Sequence, residues 1–322
     1  MESELVSIGV ATYNSAEFVL ETLESIKCQT YPALELIVSD DCSTDGTLSL
    51  VEEWLSENKN RFTHTQLITV PANTGVSANC NRLTNAATSN WIKMIAGDDI
   101  LLPDCIADNI DFIRKHPESQ VVFSQVRLYR GVFKEESFVR TMPGNFPDNL
   151  MQKGYKAEDQ FKLLLVSDRI NYTPTYFYNK KAVVDVGGYD ESFTRIEDYP
   201  MWLKLTRAGY KLSYFHKETV GYRMHNKALN NRDEQLLIKP QYFTLHKIRK
   251  QVAHPFLPWE MVASENFTYH VSKMFYRLGW NSESVGLKRF YHLLAYYANP
   301  FYYIYVAKKR LVKDGSKQYF YK

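Results

Sequence analysis

Short apolar runs alternate with helical patterns over the first hundred residues, and this alternation constrains the fold more than any other feature of the sequence. The predicted strands are Val6–Ala11, Leu34–Ser39, Gln66–Val70 and Trp91–Ala96, with helices predicted over residues 16–29, 48–57 and 76–87. Such an order implies a parallel sheet with right-handed crossovers. The sequence therefore predicts an α/β fold, a Rossmann-like, mostly parallel sheet with flanking helices.

A polar cluster follows each of these predicted strands. The clusters are residues 12–15, 40–45, 73–81 and 98–104. The carboxyl ends of parallel strands meet at one edge of a sheet, where open α/β sheets bind ligands. We therefore expect the functional site at this edge.

The last cluster begins with two adjacent carboxylates, Asp98 and Asp99, after the apolar run that ends at Ala96. Two like charges repel each other unless a cation lies nearby. A hard divalent ion held by one or two carboxylates and completed by substrate phosphates suits such a pair. The alternative is a polar turn in which one aspartate caps a helix that starts near Leu101, with Pro103 in its first turn.

Composition narrows the class of protein. The 322 residues are enough for one large domain plus an appendage, and a net charge of +3 argues against a dedicated nucleic-acid binder. The four cysteines are scattered without C-x-x-C spacing, which favours reduced thiols in the cytoplasm. The acidic start, Met1–Glu4, is unlike a signal peptide, and no run of 18 apolar residues predicts a membrane span.

Later elements are less regular. Strands are predicted over residues 120–128, 176–178, 212–215 and 219–223, a loop over 141–148, and helices over 158–166, 196–208, 236–252 and 261–278. We expect a catalytic domain over residues 1–226 and a helical region over residues 227–322.

Seven short motifs stand in a fixed order. They are Val10–Asn14, Val38–Thr47, Asn73–Gly75, Gly97–Asp99, Gly187–Asp190, Glu197–Asp198 with Trp202, and Tyr222–His225. In order and spacing they resemble family 2 inverting glycosyltransferases of the GT-A fold, over roughly residues 4 to 226. Two features depart from the family pattern, because Cys42 stands where glycine is usual and the aspartate pair lacks a spacer residue.

The resemblance implies a nucleotide-binding group, formed by Thr12, Tyr13, Asp41, Asn73, Arg82 and Asp98. In this interpretation Asp41 accepts a hydrogen bond from the N3–H of uracil, and Tyr13 packs on the base. A carboxylate only accepts hydrogen bonds, so it suits uracil or thymine and rejects cytosine. Asp41 as an ordinary turn or capping residue is the alternative, and Arg82 is expected near a phosphate.

The resemblance also implies a metal ion and a catalytic base. Asp99 would ligate Mn²⁺ or Mg²⁺ beside the diphosphate, with Asp98 facing the ribose or a metal-bound water, and His225 a tentative further ligand. Asp198 would act as the general base that takes the proton of the acceptor hydroxyl. Glu197 and Trp202 would line the acceptor pocket, although carboxylates also favour the first turn of a helix and tryptophan the core.

Residues 288–322 are basic and aromatic, with eight Lys or Arg residues and one acid, Asp314. Aromatic rings favour the headgroup interface, and clustered cations favour anionic lipids. A peripheral position on the inner face of the cell membrane is one interpretation, and a tail that packs on the fold is the other.

Several functions remain open at this point. We favour transfer of glucose or galactose from a UDP-sugar to a lipid-diphosphate-linked sugar, with GlcNAc-diphosphate-undecaprenol and a β-1,3 bond favoured, in O-antigen or lipopolysaccharide synthesis. The alternatives are another donor, such as dTDP-rhamnose, or a non-catalytic nucleotide-binding scaffold. A dinucleotide-dependent oxidoreductase is disfavoured, because G-x-G-x-x-G is absent after the first strand.

Overall fold

The computed structural model describes residues 3–146, 150–152, 154–166, 170–225, 236–282 and 284–311. The chain divides into two compact units, one formed by residues 1–160 and 169–225 and the other by residues 161–168 and 226–322. The predicted domain boundary at residues 226 and 227 lies outside the described residues. Within them, no helix is both long enough and apolar enough to cross a membrane.

One nine-stranded sheet forms the centre of the first unit. Its strands are β1 (Val6–Thr12), β2 (Leu34–Asp40), β3 (His64–Thr69), β4 (Trp91–Ala96), β5 (Ile100–Leu101), β6 (Val121–Arg130), β7 (Phe138–Met142), β8 (Phe177–Asn179) and β9 (Leu212–Met224). The α-helices before residue 225 are α1 (Val19–Lys27), α2 (Thr47–Asn58), α3 (Val76–Ala86), α4 (Cys105–Lys115), α5 (Ala157–Val166), α6 (Lys180–Asp185) and α7 (Asp198–Arg207).

The sheet order is β3-β2-β1-β4-β8-β6-β9-β5, with β7 paired to β6. Strands β1 to β4 run parallel, as do β6 and β9, whereas β8 is antiparallel to both of its neighbours. The predicted mostly parallel sheet with flanking helices is confirmed. In the register, Thr12 lies opposite Asp40 and Ala11 opposite Ala96, so the ends of β2, β1 and β4 are aligned.

The apolar runs of β1 and β2 form the sheet's core. Ile8, Val10, Leu36 and Val38 are fully buried, as expected for parallel strands covered by helices on both faces. Strand β3 at the sheet edge alternates between exposed and partly buried residues instead. Burial of the central strands fixes the position of the polar residues that follow them.

Three predicted elements differ from the structure. Ile100 and Leu101 form β5 against β9, and the helix predicted near Leu101 begins only at Cys105. The two strands predicted over 212–215 and 219–223 are one strand, because β6 offers a partner along most of its length and shifts in register absorb the irregularity. Thr141, predicted in a loop, belongs to β7.

The second unit is helical in its described part. Its elements after residue 236 are α8 (Pro240–Val252), α9 (Trp259–Arg277), α10 (Val285–His292), a π-helical turn over Leu293–Tyr297 and α11 (Pro300–Leu311). Its apolar core contains Ile238, Phe275, Tyr291 and Ala295. Part of the basic, aromatic segment therefore packs inside this unit.

A polar cluster also lies in this unit. Donor and acceptor atoms of His246, His254 and Glu265 lie within 4.8 Å of one another. Arg249 contacts both oxygens of Glu265 at 2.5 and 3.1 Å. The arginine already neutralises the carboxylate, so we interpret the cluster as an ion-pair network that stabilises the fold.

Candidate active site

The loop after β2 is ordered by Asp40. Its carboxylate accepts hydrogen bonds from the Thr12 hydroxyl at 2.9 Å and from the Ser43 amide at 2.8 Å. Cys42 within this loop has φ +66°, in the left-handed region that favours glycine. The family glycine that Cys42 replaces therefore corresponds to a position with a conformational reason for glycine.

Asp41 lies at the centre of a hydrogen-bond cluster. Its carboxylate accepts from the Thr74 amide and hydroxyl, from the Gly75 amide at 2.8 Å and from Arg82 at 2.6 Å. Burial raises the pKa of Asp41, but these hydrogen bonds outweigh burial and hold its pKa below the ordinary value. The amide of Asn73 donates to the Asp41 carbonyl at 3.2 Å. The structure thus brings three predicted nucleotide-binding residues together around an ionised acceptor.

Arg82 is held on this side of the sheet by three polar groups. It pairs with Asp41 and donates to the hydroxyls of Thr74 at 2.7 Å and Ser39 at 3.2 Å. Tyr13, by contrast, is half exposed. Its ring is therefore accessible beside the ordered loop.

The turn between β3 and α3 is fastened to the segment that precedes α7. Gly75 has φ +89°, and a Cβ atom there would lie 2.7 Å from the Cβ of Thr194. The Val76 amide donates to the Thr194 carbonyl at 3.1 Å, and the Ser77 hydroxyl donates to the Phe193 carbonyl. The Asp41 side of the site is therefore tied to the chain just before the Glu197–Asp198 pair.

The two adjacent aspartates have different surroundings. Asp99 is buried and accepts from the Arg223 amide at 2.9 Å. Burial, and next the charge of Asp98, raise the pKa of Asp99 well above its ordinary value. Asp98 is more accessible and faces Nε2 of His225 at 3.0 Å. Asp98 and His225 therefore meet, and a carboxylate with an imidazole suits a divalent cation. Asp99 holds the backbone of β9 instead, and the ligand atoms of the three residues do not all lie within 4.8 Å of one another.

Arg223 contacts both aspartates. The sequence places it in a motif but predicts no role for it. Its buried guanidinium donates to the Asp98 carbonyl at 2.9 Å and pairs with Glu21. It also lies over the rings of Phe18 and Phe133, at 4.6 and 4.1 Å. Its charge lowers the pKa of Asp99, although by less than burial and Asp98 raise that pKa.

Glu197 and Asp198 mark the start of α7. Burial raises the pKa of Asp198, although hydrogen bonds from the Tyr199 amide at 2.7 Å and the Thr173 hydroxyl at 3.1 Å oppose the shift. Burial, and then the charge of Asp198, raise the pKa of Glu197 to about 8. With a pKa of about 8, Glu197 is mostly protonated at neutral pH, which removes a like charge beside Asp198. The arrangement is suited to accept a proton from a bound hydroxyl.

The segment that carries Thr173 is held by Lys93, a lysine fully buried within β4. Its ammonium donates to the carbonyls of Met94, Pro174 and Tyr176 at 2.8, 2.6 and 3.2 Å. Burial lowers the pKa of Lys93 to about 8, which leaves it mostly protonated at neutral pH. The contacts with Pro174 and Tyr176 could not be predicted from the sequence, because these residues lie 81 and 83 positions further along the chain.

Trp202 was given two interpretations, and its contacts support core packing. It is 1% exposed and meets the rings of Phe123 and Tyr176 edge to face, at 5.0 and 5.3 Å. The indole ring is therefore part of the core of the first unit.

The chain is similar in sequence to a known protein family and to several known proteins. The family model described as glycosyl transferase family 2 matches residues 7–182. Putative glycosyltransferase EpsE of Bacillus subtilis (strain 168) is 27% identical over 250 residues, which cover 74% of this chain and 77% of that protein. UDP-Glc:alpha-D-GlcNAc-diphosphoundecaprenol beta-1,3-glucosyltransferase WfaP of Escherichia coli is 26% identical over 239 residues, covering 73% and 83%.

Among solved structures, S. aureus TarS 1-349 in complex with UDP-GlcNAc is similar, with a TM-score of 0.55 and 20% identity. The match covers 98% of this chain and 78% of that one. At this level of identity the likeness shows the fold alone, and it confirms the predicted GT-A architecture.

Proposed function

The chain belongs to glycosyl transferase family 2 and is a glycosyltransferase, and we propose that it moves a hexose from a UDP-sugar to a lipid-diphosphate-linked sugar with inversion. The observation that carries the proposal is Asp198, a part-buried carboxylate with a raised pKa at the start of α7. It supplies the base that inversion by direct attack requires.

The donor part of the proposal rests on Asp41. Its ionised carboxylate accepts hydrogen bonds and suits the ring N–H of uracil. Donors from Thr74, Gly75 and Arg82 occupy about as many positions as a carboxylate offers, so a nucleotide has to displace one of them. The structurally similar TarS was solved in complex with UDP-GlcNAc, which supports a uridine nucleotide here. Tyr13 would pack against the base.

A divalent metal is the cofactor that the second carboxylate group would hold. Asp99, as predicted, would be a ligand, and His225, which Asp98 contacts at 3.0 Å, would be a further one. The charge of Asp98 beside Asp99 favours a bound cation. Mn²⁺ or Mg²⁺ there would neutralise charge on the departing diphosphate. The chain's own contribution is Arg223, which positions both aspartates through its amide and its guanidinium.

Asp198 would take the proton of the acceptor hydroxyl as that oxygen attacks the anomeric carbon from the face opposite the diphosphate. Hydrogen bonds from Thr173 and Tyr199 orient its carboxylate. Glu197, mostly protonated at neutral pH because its pKa is about 8, would donate a hydrogen bond to the acceptor. Trp202 then supports the acceptor side through packing.

The acceptor is proposed from the relative WfaP, whose name gives a UDP-glucose donor and a GlcNAc-diphosphoundecaprenol acceptor. We favour glucose or galactose as the transferred sugar and a β-1,3 linkage for this chain. The enzyme would act at the cytoplasmic face of the membrane in surface polysaccharide synthesis. A dTDP-sugar is a second candidate donor, because thymine presents the same ring N–H to Asp41.

A donor screen tests this function. Purified protein with Mn²⁺ and a synthetic GlcNAc-diphosphate-lipid is offered UDP-glucose, UDP-galactose, UDP-GlcNAc and dTDP-rhamnose, and the product is measured by mass spectrometry. We expect a hexose to be added from a UDP-sugar. Transfer from dTDP-rhamnose alone would replace the donor, and transfer only to acceptors without a lipid diphosphate would overturn the acceptor.

A further inference from the structure

The second unit exposes an unusual amount of apolar surface. In the part of the chain that the structure describes, most of the exposed large apolar side chains lie between Phe256 and Ile304. They include Trp259, Val285, Leu293, Tyr297 and Tyr303, each more than half exposed. Extended exposed apolar surface marks an interaction site. Aromatic rings in such numbers are typical of a surface at the headgroup level of a bilayer.

An open pocket of about 560 Å³ lies within this surface. It is lined by Val285, Lys288, Arg289, His292 and Tyr297. Three of these side chains are basic, and none of the three makes an ion pair within the described residues. A pocket with several basic groups and a phenol offers several donors to a phosphate oxygen and no carboxylate to compete.

Helix geometry explains why the basic side chains of the pocket face outward together. Val285, Lys288 and His292 are spaced three and four residues apart, so they share one face of α10. Tyr291 lies on another face of α10 and packs in the core of the unit with Ala295 of the following π-helical turn. The Tyr291 hydroxyl also hydrogen-bonds with Ser272 at 2.9 Å. The buried face fixes the helix, and the basic face remains accessible.

We propose that the pocket of Lys288, Arg289, His292 and Tyr297 binds the headgroup phosphate of an anionic bilayer lipid, while the surrounding apolar side chains enter the headgroup region. The pocket supplies positive charge, and the apolar side chains around it supply surface for the headgroup region. This combination is typical of proteins that bind at a membrane surface. The inference rests on the proposed lipid-borne acceptor, since such an acceptor requires the enzyme to work at a membrane.

Vesicle sedimentation of the full chain tests the site. Wild-type protein is expected to bind vesicles of 30% phosphatidylglycerol in phosphatidylcholine more tightly than pure phosphatidylcholine. Lys288→Gln/Arg289→Gln is expected to weaken that binding about 30-fold, the effect of two interfacial cations. Lys247→Gln/Lys250→Gln removes the same charge from exposed positions on α8 that do not line the pocket, and we expect less than about a 3-fold effect.

Three results would overturn the proposal. The first is that the wild type does not bind anionic vesicles, and the second is that the two double variants lose equal amounts of vesicle affinity. The third is that inorganic phosphate alone binds saturably and as strongly as the vesicles do. Circular dichroism melting confirms that each variant is folded. Transfer to a short-chain soluble acceptor, measured in parallel, is expected to be unchanged in both variants, so failure of the lipid site is distinguishable from failure of the proposed activity.

Discussion

Asp198 is the residue on which the proposed chemistry depends most. Asp198→Asn is expected to lower kcat by about 10²–10⁴, because an amide cannot take the acceptor proton. UDP affinity, measured by calorimetry, is expected to stay near the wild-type value, since the variant leaves the Asp41 cluster intact. Near wild-type kcat in Asp198→Asn would remove the general base from the account.

Thr173 provides a finer test of the same carboxylate. Its hydroxyl donates to Asp198 and lowers the pKa that burial has raised. Thr173→Val is therefore expected to raise the pKa of Asp198 further and move the acid limb of the kcat/KM profile to higher pH. Thr173→Ser, which keeps the hydroxyl, serves as the control. An unmoved acid limb in Thr173→Val would contradict the assignment.

The metal prediction concerns Asp98, Asp99 and His225. Removal of divalent ions by EDTA is expected to abolish transfer, and Mn²⁺ or Mg²⁺ to restore it. His225→Gln is expected to raise the Mn²⁺ concentration needed for half activity, while leaving the fold unchanged by circular dichroism. Full activity in EDTA would exclude a metal-dependent step at this site.

At the scale of elements, the turn between β3 and α3 links the Asp41 cluster to the segment before α7. Gly75→Ala is expected to weaken UDP binding at least tenfold and to lower stability by about 2 kcal/mol, because the new Cβ meets Thr194. Gly131→Ala is the matched control, since Gly131 also has positive φ but has open space around its Cβ position. Equal effects of the two variants on UDP affinity would show that only backbone strain matters.

The same scale shows what the sequence can and cannot predict. Strands β1 to β4 and helices α1 to α3 were predicted within a few residues, because their periodicity and turn residues are local. The short strand β5 and the single long strand β9 were missed, since each depends on a partner distant in sequence.

The candidate site also contains residues that the sequence predicts and residues that it does not. Asp41, Asp98 and Asp198 lie in motifs that can be read from the chain. Thr173, which belongs to no motif, donates to Asp198, and Lys93 holds the segment that carries Thr173. Sequence patterns therefore identify the candidate reacting groups better than these two supporting residues.

At the scale of the whole molecule, protonation of Glu197 makes the free energy of unfolding depend on pH. Its folded-state pKa of about 8 lies above its ordinary value of 4.5. The stabilisation from the protonated form is therefore complete below about pH 4.5 and is lost as pH rises through about 8. Between pH 5 and 9, Glu197→Gln is expected to gain on the order of 2–4 kcal/mol relative to wild type in urea unfolding.

The exposed carboxylate Glu57 gives the control for this experiment, because Glu57→Gln removes an acid that lies at the surface of α2. Its stability difference from wild type at pH 5 and at pH 9 gives the baseline for removing a surface acid. A difference for Glu197→Gln that changes no more than this baseline would mean that Glu197 ionises normally in the folded protein.

The anomeric configuration of the product tests the central claim most directly. Purified enzyme, Mn²⁺, a UDP-hexose with an α-linked sugar and a synthetic GlcNAc-diphosphate-lipid are incubated, and the new glycosidic bond is assigned by its proton coupling constant in NMR spectra. The account predicts a β-linked product that Asp198→Asn forms at a rate lower by about 10² or more. An α-linked product, or a β-linked product formed equally well by Asp198→Asn, would contradict it.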